Sequence, residues 1–321
     1  MSPLVSILIP CYNAERWVKQ CIESALAQTY PSKEVIVADD GSTDGTLEVL
    51  ESFGDKIQVL QTGHAGANVA RNKLVAASRG DWLQFLDADD YLLPEKIADQ
   101  IQLVDQLNQA VDLVYSPLIL RYEARDVEEA VHIEERADPA LNFIRWEPFG
   151  TLCLLLRKEA VLDSGGWKED QPCCQEHEII LRFILNGKRF ALVNKPNSVY
   201  RHHSSETISK KDPLRVVHQR MALTDRLEQH LNTTGQMTRA HENALYVARM
   251  ESARSAYRWN PELARQLRRK AVENGQHWAS ASPALPIPYQ LALRTFGFER
   301  AERLAECVRR WRNPESAMER G

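Results

Sequence analysis

Short apolar runs alternate with segments of helical periodicity over the first 115 residues. Residues 4–9 (LVSILI) and 34–38 (EVIVA) are β-branched runs, which are typical of strands buried on both faces of a parallel sheet. Further strands are predicted at 57–60, 81–86 and 111–115, and helices at 15–28, 44–50 (capped by Asp44), 67–78 and 94–107. This alternation predicts an α/β fold with a doubly wound, mostly parallel sheet.

The chain changes character near residue 210. From there onward it holds 20 Lys and Arg against 12 Asp and Glu, whereas residues 1–209 hold 20 against 32. The acidic first part argues against a nucleic-acid surface and is compatible with carboxylates that hold a divalent cation. We expect a catalytic domain at 1–209, with halves at 1–115 and 116–209, and a helical C-terminal region at 210–321 that includes a proline-rich link, ASPALPIPY.

Composition indicates a globular protein, with 44% hydrophobic and 26% charged residues. The sequence contains no run of about 18 apolar residues, and its first residues lack the basic segment of a signal peptide. These features predict a cytoplasmic protein. The six cysteines show no C-x-x-C pair, and we expect the adjacent Cys173 and Cys174 to be reduced thiols in a loop.

The stretch VADDGSTDGTLEVLE fits two structures. Counted from Asp40, its acidic and hydroxyl side chains match an EF-hand calcium loop, with Gly45 at the sixth position. An EF-hand needs an entering helix, however, and the run EVIVA has the pattern of a strand. We therefore favour the second interpretation, in which Asp39 and Asp40 lie at the carboxyl end of a strand, where open α/β sheets bind ligands.

A second acidic group follows the strand DWLQFL. In extended geometry Asp87 and Asp89 would project to one side and Ala88 to the other. One interpretation is a solvated cluster that caps the helix after Pro94. The other is a divalent metal site, in which one or two carboxylates hold the ion and a substrate diphosphate completes its coordination, as magnesium prefers.

Several segments together resemble one family. The first 100 residues contain P-x-Y-N after a strand, D-D-G-S-x-D, G-x-x-x-A-R-N and D-x-D, in that order. This combination resembles the inverting family 2 glycosyltransferases. The resemblance implies the GT-A fold, a Rossmann-like, mostly parallel sheet flanked by helices, with the nucleotide-sugar and metal half at 1–115 and the acceptor half at 116–209.

The resemblance also implies roles for individual residues. Tyr12 would lie near the nucleotide base, Asp40 would accept a base N–H, Asp87 would reach the ribose, and Asp89 would bind Mn²⁺ or Mg²⁺ with Asp90 in support. The full set of implied donor contacts is Pro10, Tyr12, Asp40, Arg71, Asp87 and Ala88. Without the family, Tyr12 would be interpreted as a core residue and Arg71 as a surface cation on a helix.

The acceptor side resembles the family less closely. When the segment is aligned on Arg182 and Gly187, Gln175 and Glu176 occupy the positions of the usual E-D pair. Glu176 then takes the position of the catalytic base, and Glu178 is the substitute candidate. The segment VYRHHSS resembles the family's Y-R-x-H, which implies that His203, rather than His202, joins the metal. On residue pattern alone, both histidines could be plain polar residues, and the acids of this helix could face water.

The resemblance implies a transferase that uses a nucleotide-diphosphate sugar, with a UDP-sugar favoured, and a glycan, lipid-linked, protein or small-molecule acceptor. A non-catalytic nucleotide-sugar-binding protein is the main alternative, motivated by Gln-Glu in place of Glu-Asp. The segment FERAERLAECVRRWRN, with an apolar face among arginines, fits an anionic membrane surface. It also fits packing on its own domain or on a second copy, and we favour packing over the membrane.

Overall fold

A computed structural model describes residues 2–134, 138–147, 150–203, 212–273 and 285–312. Its strands are β1 Val5–Cys11, β2 Lys33–Asp39, β3 Gln58–Gln61, β4 Trp82–Phe85, β5 Tyr91–Leu92, β6 Leu113–Tyr115, β7 Ile119–Tyr122, β8 Val127–Ala130, β9 Leu154–Arg157, β10 Phe190–Leu192 and β11 Ser198–His202. Its helices are α1 Val18–Leu26, α2 Thr46–Glu51, α3 Ala67–Ala77, α4 Lys96–Gln106, α5 Pro139–Ile144, α6 Lys158–Asp163, α7 Gln175–Leu185, α8 Pro213–Thr233, α9 Arg239–Tyr257, α10 Pro261–Val272, α11 Ile287–Phe296 and α12 Phe298–Arg312.

The main sheet has seven strands in the order β10-β6-β9-β4-β1-β2-β3. Its strands pair in parallel except β9, which runs antiparallel to both β4 and β6. Strand β1 is almost completely buried, and its register places Cys11 opposite Asp39 at the carboxyl end of β2. The predicted α/β architecture is therefore confirmed, and the motif residues of β1, β2 and β4 follow strand ends at one edge of the sheet.

The residues before α1 depart from the predicted helix. The helix starts at Val18 rather than Glu15, because residues 13–15 are hydrogen-bonded to the loop after β2. Asn13 Oδ1 accepts from the backbone N of Thr43 at 2.8 Å, and the backbone N of Ala14 donates to Thr46 Oγ1 at 2.8 Å. Tertiary hydrogen bonds thus override the helical pattern of this segment.

The calcium-loop alternative is wrong. Strand β2, not a helix, enters the loop, and Asp44 binds the chain itself. Its Oδ1 accepts from the backbone N of Thr46 at 3.1 Å, and its Oδ2 accepts from the backbone N of Glu15 at 3.2 Å. Asp44 therefore accepts a backbone N–H at the start of α2, as a capping residue does, but Gly45 is the residue directly before the first helical turn.

A smaller four-stranded sheet has the order β5-β11-β7-β8. Strand β11 runs parallel to β7 and antiparallel to β5, which lies only a few residues after the end of β4. This pairing brings residues 198–203 to the acidic segment that follows β4.

The chain divides into two compact units. The first comprises Met1–Pro139 and Glu147–Thr207, and the second comprises Ala140–Trp146 and Ile208–Gly321. The second unit is helical in its described residues, with apolar clusters around Met250 and Leu285 and around Met221 and Leu267. Part of the predicted proline-rich link is helical, because α11 starts at Ile287 and Pro288 is tolerated in the first turn. In the part of the chain that the structure describes, no helix is both long and apolar enough to cross a membrane.

The core of the first unit contains an ionisable side chain, Lys96, at the start of α4. Its Nζ donates to Gln84 Oε1 on β4 and to Gln100 Oε1, the latter at 2.7 Å. Gln100 Nε2 in turn donates to the carbonyl oxygens of Cys153 and Val114. Lys96 is fully buried, and burial lowers its pKa from 10.5 to about 7.

This pKa predicts a pH-dependent stability. Between pH 7 and about 10.5 the unfolded chain holds a proton on Lys96 that the folded chain has released, so the free energy of unfolding rises with pH in this range. We expect the unfolding free energy of wild type minus that of Lys96→Met to become more positive as pH rises, with a slope that approaches about 1.4 kcal/mol per pH unit. Urea titrations at several pH values measure it.

The matched control is Lys56→Met, because Lys56 is exposed. Its unfolding free energy should follow that of wild type at every pH. Equal pH dependence in wild type and Lys96→Met would contradict a lysine that loses its charge on folding.

Candidate active site

The acidic segment after β4 forms a turn, not an extended strand. The backbone N of Asp90 donates to the carbonyl oxygen of Asp87 at 3.0 Å, and the turn residue Ala88 is buried. The expectation that Asp87 and Asp89 project to one side of an extended segment is therefore wrong. Because the backbone turns here, the carboxylates of Asp87, Asp89 and Asp90 each meet different partners.

Asp87 is held by an arginine and a threonine. Its Oδ1 accepts from Arg71 Nη2 at 2.9 Å, and its Oδ2 accepts from Thr151 Oγ1 at 2.8 Å. Arg71 is only 5% exposed and packs over the ring of Trp167 at 4.9 Å. The alternative that Arg71 is a surface cation is thus wrong, since its guanidinium balances the charge of Asp87.

Asp89 contacts the histidine that the family resemblance singled out. His203 Nε2 lies 2.9 Å from Asp89 Oδ2, and the His203 ring stacks on Trp17 with centroids 5.8 Å apart. His202, in contrast, is exposed and lies against Tyr122. The structure therefore brings His203, and not its neighbour, to the D-x-D segment.

Arg201 connects β11 to this acidic turn. Its Nε donates to the carbonyl oxygen of Asp89 at 2.8 Å, and its backbone N donates to Asp90 Oδ1 at 2.8 Å. Its guanidinium also donates to Glu123 at 2.5 Å and Gln20 at 2.6 Å, and it lies over the Trp17 ring at 4.4 Å. With every one of its nitrogens engaged, this buried arginine holds the turn and the Trp17 side chain in one arrangement.

Asp90 is the most deeply buried of the three aspartates, at 1% exposure. Burial raises its pKa well above the usual range, and the charges of Asp89 and Asp87 raise it further, against the lowering effect of Arg201. Asp90 thus supports the turn through the backbone of Arg201, while Asp89 presents its carboxylate at the surface of the site.

The predicted base-binding residues lie at the ends of β1 and β2. Pro10 is the second-last residue of β1. Tyr12, just after the strand, is 47% exposed, and its ring centroid lies 4.6 Å from that of His64. The alternative that Tyr12 is a core residue is therefore wrong. Asp40 is buried and accepts from Thr62 Oγ1 at 2.6 Å and from the backbone N of Ala65 and Gly66 at 2.8 Å.

These contacts decide the charge of Asp40. Burial alone would raise its pKa, but the hydrogen bonds from Thr62, Ala65 and Gly66 outweigh burial and lower it. Asp40 is therefore an anion that orders the loop before α3, and a role at the nucleotide base stays a prediction.

The two candidate acids of α7 have different environments. Glu178 is 1% exposed, and its Oε2 accepts from Arg182 Nη2 at 2.6 Å, while Lys168 Nζ lies 3.3 Å from its Oε1. Arg182 also donates to the carbonyl oxygens of Ser164 and Gly166. Glu178 therefore orients Arg182, which secures α7 to the glycine turn before it, and this ion pair leaves Glu176 as the candidate base.

Glu176 is half-buried, and its charged neighbours belong to the acidic site. Burial raises its pKa, Arg71 lowers it and Asp87 raises it. Tyr200 belongs to the same group, since burial raises its pKa and the charges of Asp90, Asp89, Asp87 and Glu176 raise it further. The structure thus assembles Glu176, Asp87 and Asp89 in one acidic site, and it adds a phenol there that the sequence analysis missed.

Several buried polar atoms of this region have no hydrogen-bond partner among the described residues. They are Asp39 Oδ1, Arg71 Nε, Asp90 Oδ2 and Trp167 Nε1. Such atoms are rare in folded proteins and are often explained by a ligand or ordered water. Asp39 ends β2 and Asp90 lies in the turn after β4, where an open α/β sheet would bind a polar ligand.

The same region fits a divalent cation whose coordination is completed by substrate. Across the described ranges, no cluster of three or more His, Cys, Asp and Glu side chains is arranged to hold a metal. The adjacent carboxylate of Asp89 and imidazole of His203 are nevertheless oxygen and nitrogen donors of the kind that Mn²⁺ accepts. Two protein ligands plus diphosphate oxygens is an arrangement that metals of this class adopt.

Residues 6–159 match the model of a known family, described as glycosyl transferase family 2. This segment belongs to that family. The family 2 segment includes β1 to β9 and the acidic turn, whereas α7 and β11, which carry Glu176 and His203, follow it.

Individual relatives agree with this assignment. A Bacillus subtilis glycosyltransferase provisionally assigned to teichuronic acid biosynthesis is 32% identical over 138 residues, which are 41% of this chain and 54% of the relative. The first curated relatives that the chain matches align over only 36% of their own length, so the chain spans about a third of them.

Solved structures resemble a larger part of the chain. Staphylococcus aureus TarS 1-349 in complex with UDP matches with a TM-score of 0.64 and 20% identity, covering 96% of this chain and 91% of that one. A mannosyltransferase from Pyrobaculum calidifontis with GDP-Man and Mn²⁺ matches with a TM-score of 0.54 and 18% identity, covering 96% and 87%. At these identities the likeness establishes the fold, and the GT-A prediction is confirmed.

The two acids of α7 should differ in their effect on stability. Glu178→Gln breaks a buried ion pair and should lower the free energy of unfolding by about 3 kcal/mol. Glu176→Gln should leave it unchanged or raise it near neutral pH. The folded-state pKa of Glu176 is raised, so its neutral form contributes stability at low pH that is lost as pH rises. Glutamine stays neutral, so the variant does not lose this stability.

Urea unfolding of both variants at pH 7 measures these effects. The two substitutions are matched controls for each other, since each removes one carboxylate from the same helix. A larger loss for Glu176→Gln than for Glu178→Gln would contradict the assignment of Glu178 as the structural acid.

Proposed function

We propose that the chain is an inverting, metal-dependent glycosyltransferase that moves a sugar from a nucleotide-diphosphate sugar, with a UDP-sugar favoured, to an acceptor hydroxyl. The observation that carries the proposal is the contact between Asp89 and His203, 2.9 Å, in the same acidic site as Glu176. The family of residues 6–159 supports it, as do the UDP and GDP-Man complexes of the structural neighbours.

The donor is proposed to bind across the carboxyl ends of β1, β2 and β4. Tyr12 offers an exposed ring for the base beside Pro10, and Asp40 is an anion that can accept a base N–H. Arg71 and Asp87, already paired, together with Ala88 would contact the ribose and diphosphate side. This pairing orients both side chains before the donor arrives, which reduces the entropy cost of binding.

Asp89 and His203 are proposed to hold Mn²⁺ or Mg²⁺, with Asp90 and Arg201 fixing the turn. When bound, the cation would stabilise the negative charge that develops on the leaving diphosphate. Asp89 is suited to this position because its side chain is 40% exposed, whereas Asp87 and Asp90 are engaged by Arg71 and Arg201.

Glu176 is proposed as the general base. Its carboxylate accepts the proton of the acceptor hydroxyl as that oxygen attacks the anomeric carbon from the face opposite the diphosphate, so the configuration inverts. A raised pKa makes Glu176 a stronger proton acceptor than an ordinary glutamate. The longer glutamate occupies the position where the family has aspartate.

The acceptor is proposed to be a growing glycan, in view of the relative assigned to teichuronic acid biosynthesis. Lipid-linked and protein-linked glycans share the same hydroxyl chemistry. We place the reaction in polysaccharide biosynthesis on the cytoplasmic side of the cell. Membrane contact through residues 298–312, or association of two copies, would use the half-exposed Leu304 and Val308.

Removal of Asp89 should abolish metal-dependent donor binding. Calorimetric titration with UDP, with and without Mn²⁺, should show Mn²⁺-dependent affinity in wild type and none in Asp89→Ala, because one of the two protein ligands is gone. GDP, dTDP and CMP in the same titration identify the base.

The control is Asp55→Asn, an exposed carboxylate on the short helical turn before β3, which should bind UDP as wild type does. Equal Mn²⁺-dependent binding by wild type and Asp89→Ala would refute the metal assignment.

Loss of the base should separate binding from turnover. Glu176→Gln should keep Mn²⁺-dependent UDP binding and lose donor turnover by roughly 10² to 10⁴-fold, since the amide cannot accept a proton. Turnover can be followed as UDP release from the donor that binds, with water as acceptor. In wild type, kcat/KM should fall as pH drops through the pKa of Glu176, at a pH above the usual value for glutamate, about 4.3.

Unchanged turnover in Glu176→Gln would exclude it as the base. Tight donor binding by wild type without UDP release for any acceptor would instead support the alternative of a nucleotide-sugar-binding protein, which the Gln175–Glu176 departure motivates.

A further inference from the structure

The helical unit contains a cavity of its own, separate in sequence from the family 2 segment. Its volume is about 720 Å³, within the range of small-molecule sites. The lining comes from the end of α9, the connection to α10 and one side of α12, including Arg254, Trp259, Glu302 and Cys307. None of these residues has a part in the proposed transfer reaction.

One wall of the cavity is rigid and polar. Glu302 is 1% exposed, and its Oε1 accepts from Arg254 Nε at 2.8 Å and from Tyr289 Oη at 2.6 Å. Arg254 also stacks over the Tyr289 ring at 3.7 Å. These contacts hold the partly exposed Arg254 guanidinium in a fixed position at the wall of the cavity.

A second pair repeats this chemistry one helical turn further along α12. Arg258 Nη2 donates to Glu306 Oε1 at 2.7 Å, and both side chains line the cavity together with the exposed Arg303. The lining therefore offers both donors and acceptors, with three arginines and two glutamates. Hydroxyl groups, each a donor and an acceptor, can bond to both kinds of group, whereas a phosphate or a cation would use only one kind.

Trp259 adds a flat apolar surface. At 61% exposure it is the most exposed of the large apolar side chains in the described ranges. Its backbone N donates to the carbonyl oxygen of Ala256 at 2.9 Å, and Asn260 beside it caps α10, so the connection that carries the indole is ordered. An exposed indole at the wall of a cavity that also offers donors and acceptors suits a ligand with one apolar C–H face and a polar edge.

We propose that this cavity binds a carbohydrate chain, with a sugar ring packed on Trp259 and its hydroxyl groups hydrogen-bonded by the Arg258–Glu306 pair and by Arg254, which Glu302 orients. The volume exceeds what one sugar ring needs, so a segment of a glycan fits better than a free monosaccharide. Its use as a second acceptor-binding site rests on the proposed glycosyltransferase function, but the binding itself does not.

Cys307 provides a direct test because it is exposed and lines the cavity, whereas Cys11, Cys21, Cys153 and Cys173 are buried. The full chain is alkylated with a maleimide in the presence of maltohexaose, chitohexaose or a chondroitin hexasaccharide, and modification at Cys307 is followed by peptide mass spectrometry. We expect at least one probe to slow modification of Cys307.

Variants identify the cavity as the cause. Trp259→Ala should weaken protection about tenfold in probe concentration, which corresponds to the loss of one aromatic contact of about 1.4 kcal/mol. Phe296→Ala is the matched control, since Phe296 is 51% exposed in the same unit and does not line the cavity among its described residues. Circular dichroism checks that both variants fold.

The remaining outcomes overturn the proposal. They are no protection by any of the three probes, protection that Trp259→Ala leaves intact, and protection without probe that increases with protein concentration. The last outcome would mean that a second copy covers this face. Repeating the experiment in Asp89→Ala keeps the two proposals distinguishable, because glycan protection should persist there while Mn²⁺-dependent UDP binding is lost.

Discussion

The crowding of carboxylates at one edge of the sheet is the constraint on which the rest of the first unit depends. The charges of Asp89 and Asp87 raise the pKa of Asp90, and the charge of Asp87 raises the pKa of Glu176, so this edge of the sheet needs positive charge nearby. Two buried arginines provide it. Arg71 comes from α3 and pairs with Asp87, and Arg201 comes from β11 and holds the turn.

This division of charge gives the acids different properties. Asp87 is fixed in an ion pair, Asp90 is buried with a raised pKa, and Asp89 keeps an exposed carboxylate beside a histidine. The two acids of α7 also differ. Glu178 forms an ion pair with Arg182, and Glu176 does not. Acids that are similar in sequence thus become a positioning group, a candidate metal ligand and a candidate base, because burial and partners differ.

The two units have different electrostatic character, and their candidate sites reflect it. The first unit concentrates acids at strand ends, which suits a cation and the nucleotide diphosphate that it would neutralise. The cavity of the second unit has three Arg and two Glu beside an exposed tryptophan, which suits a hydroxyl-rich ligand. A transferase that extends a glycan would need one site for each kind of substrate.

The sequence by itself determined the alternation of strands and helices over the first 115 residues and the acidic ends of β2 and β4, because local periodicity carries that information. The roles of Glu176 and His203 came from the resemblance to a family and stay predictions. Only the tertiary structure decided which side chains meet. Arg201 and Asp90 are 111 residues apart, and Thr151 and Asp87 are 64 apart. The turn at Asp87–Asp90, the burial of Arg71 and the exposure of Tyr12 and Trp259 depend on such contacts, which form only when distant segments pack together and which leave no periodic signal in the chain.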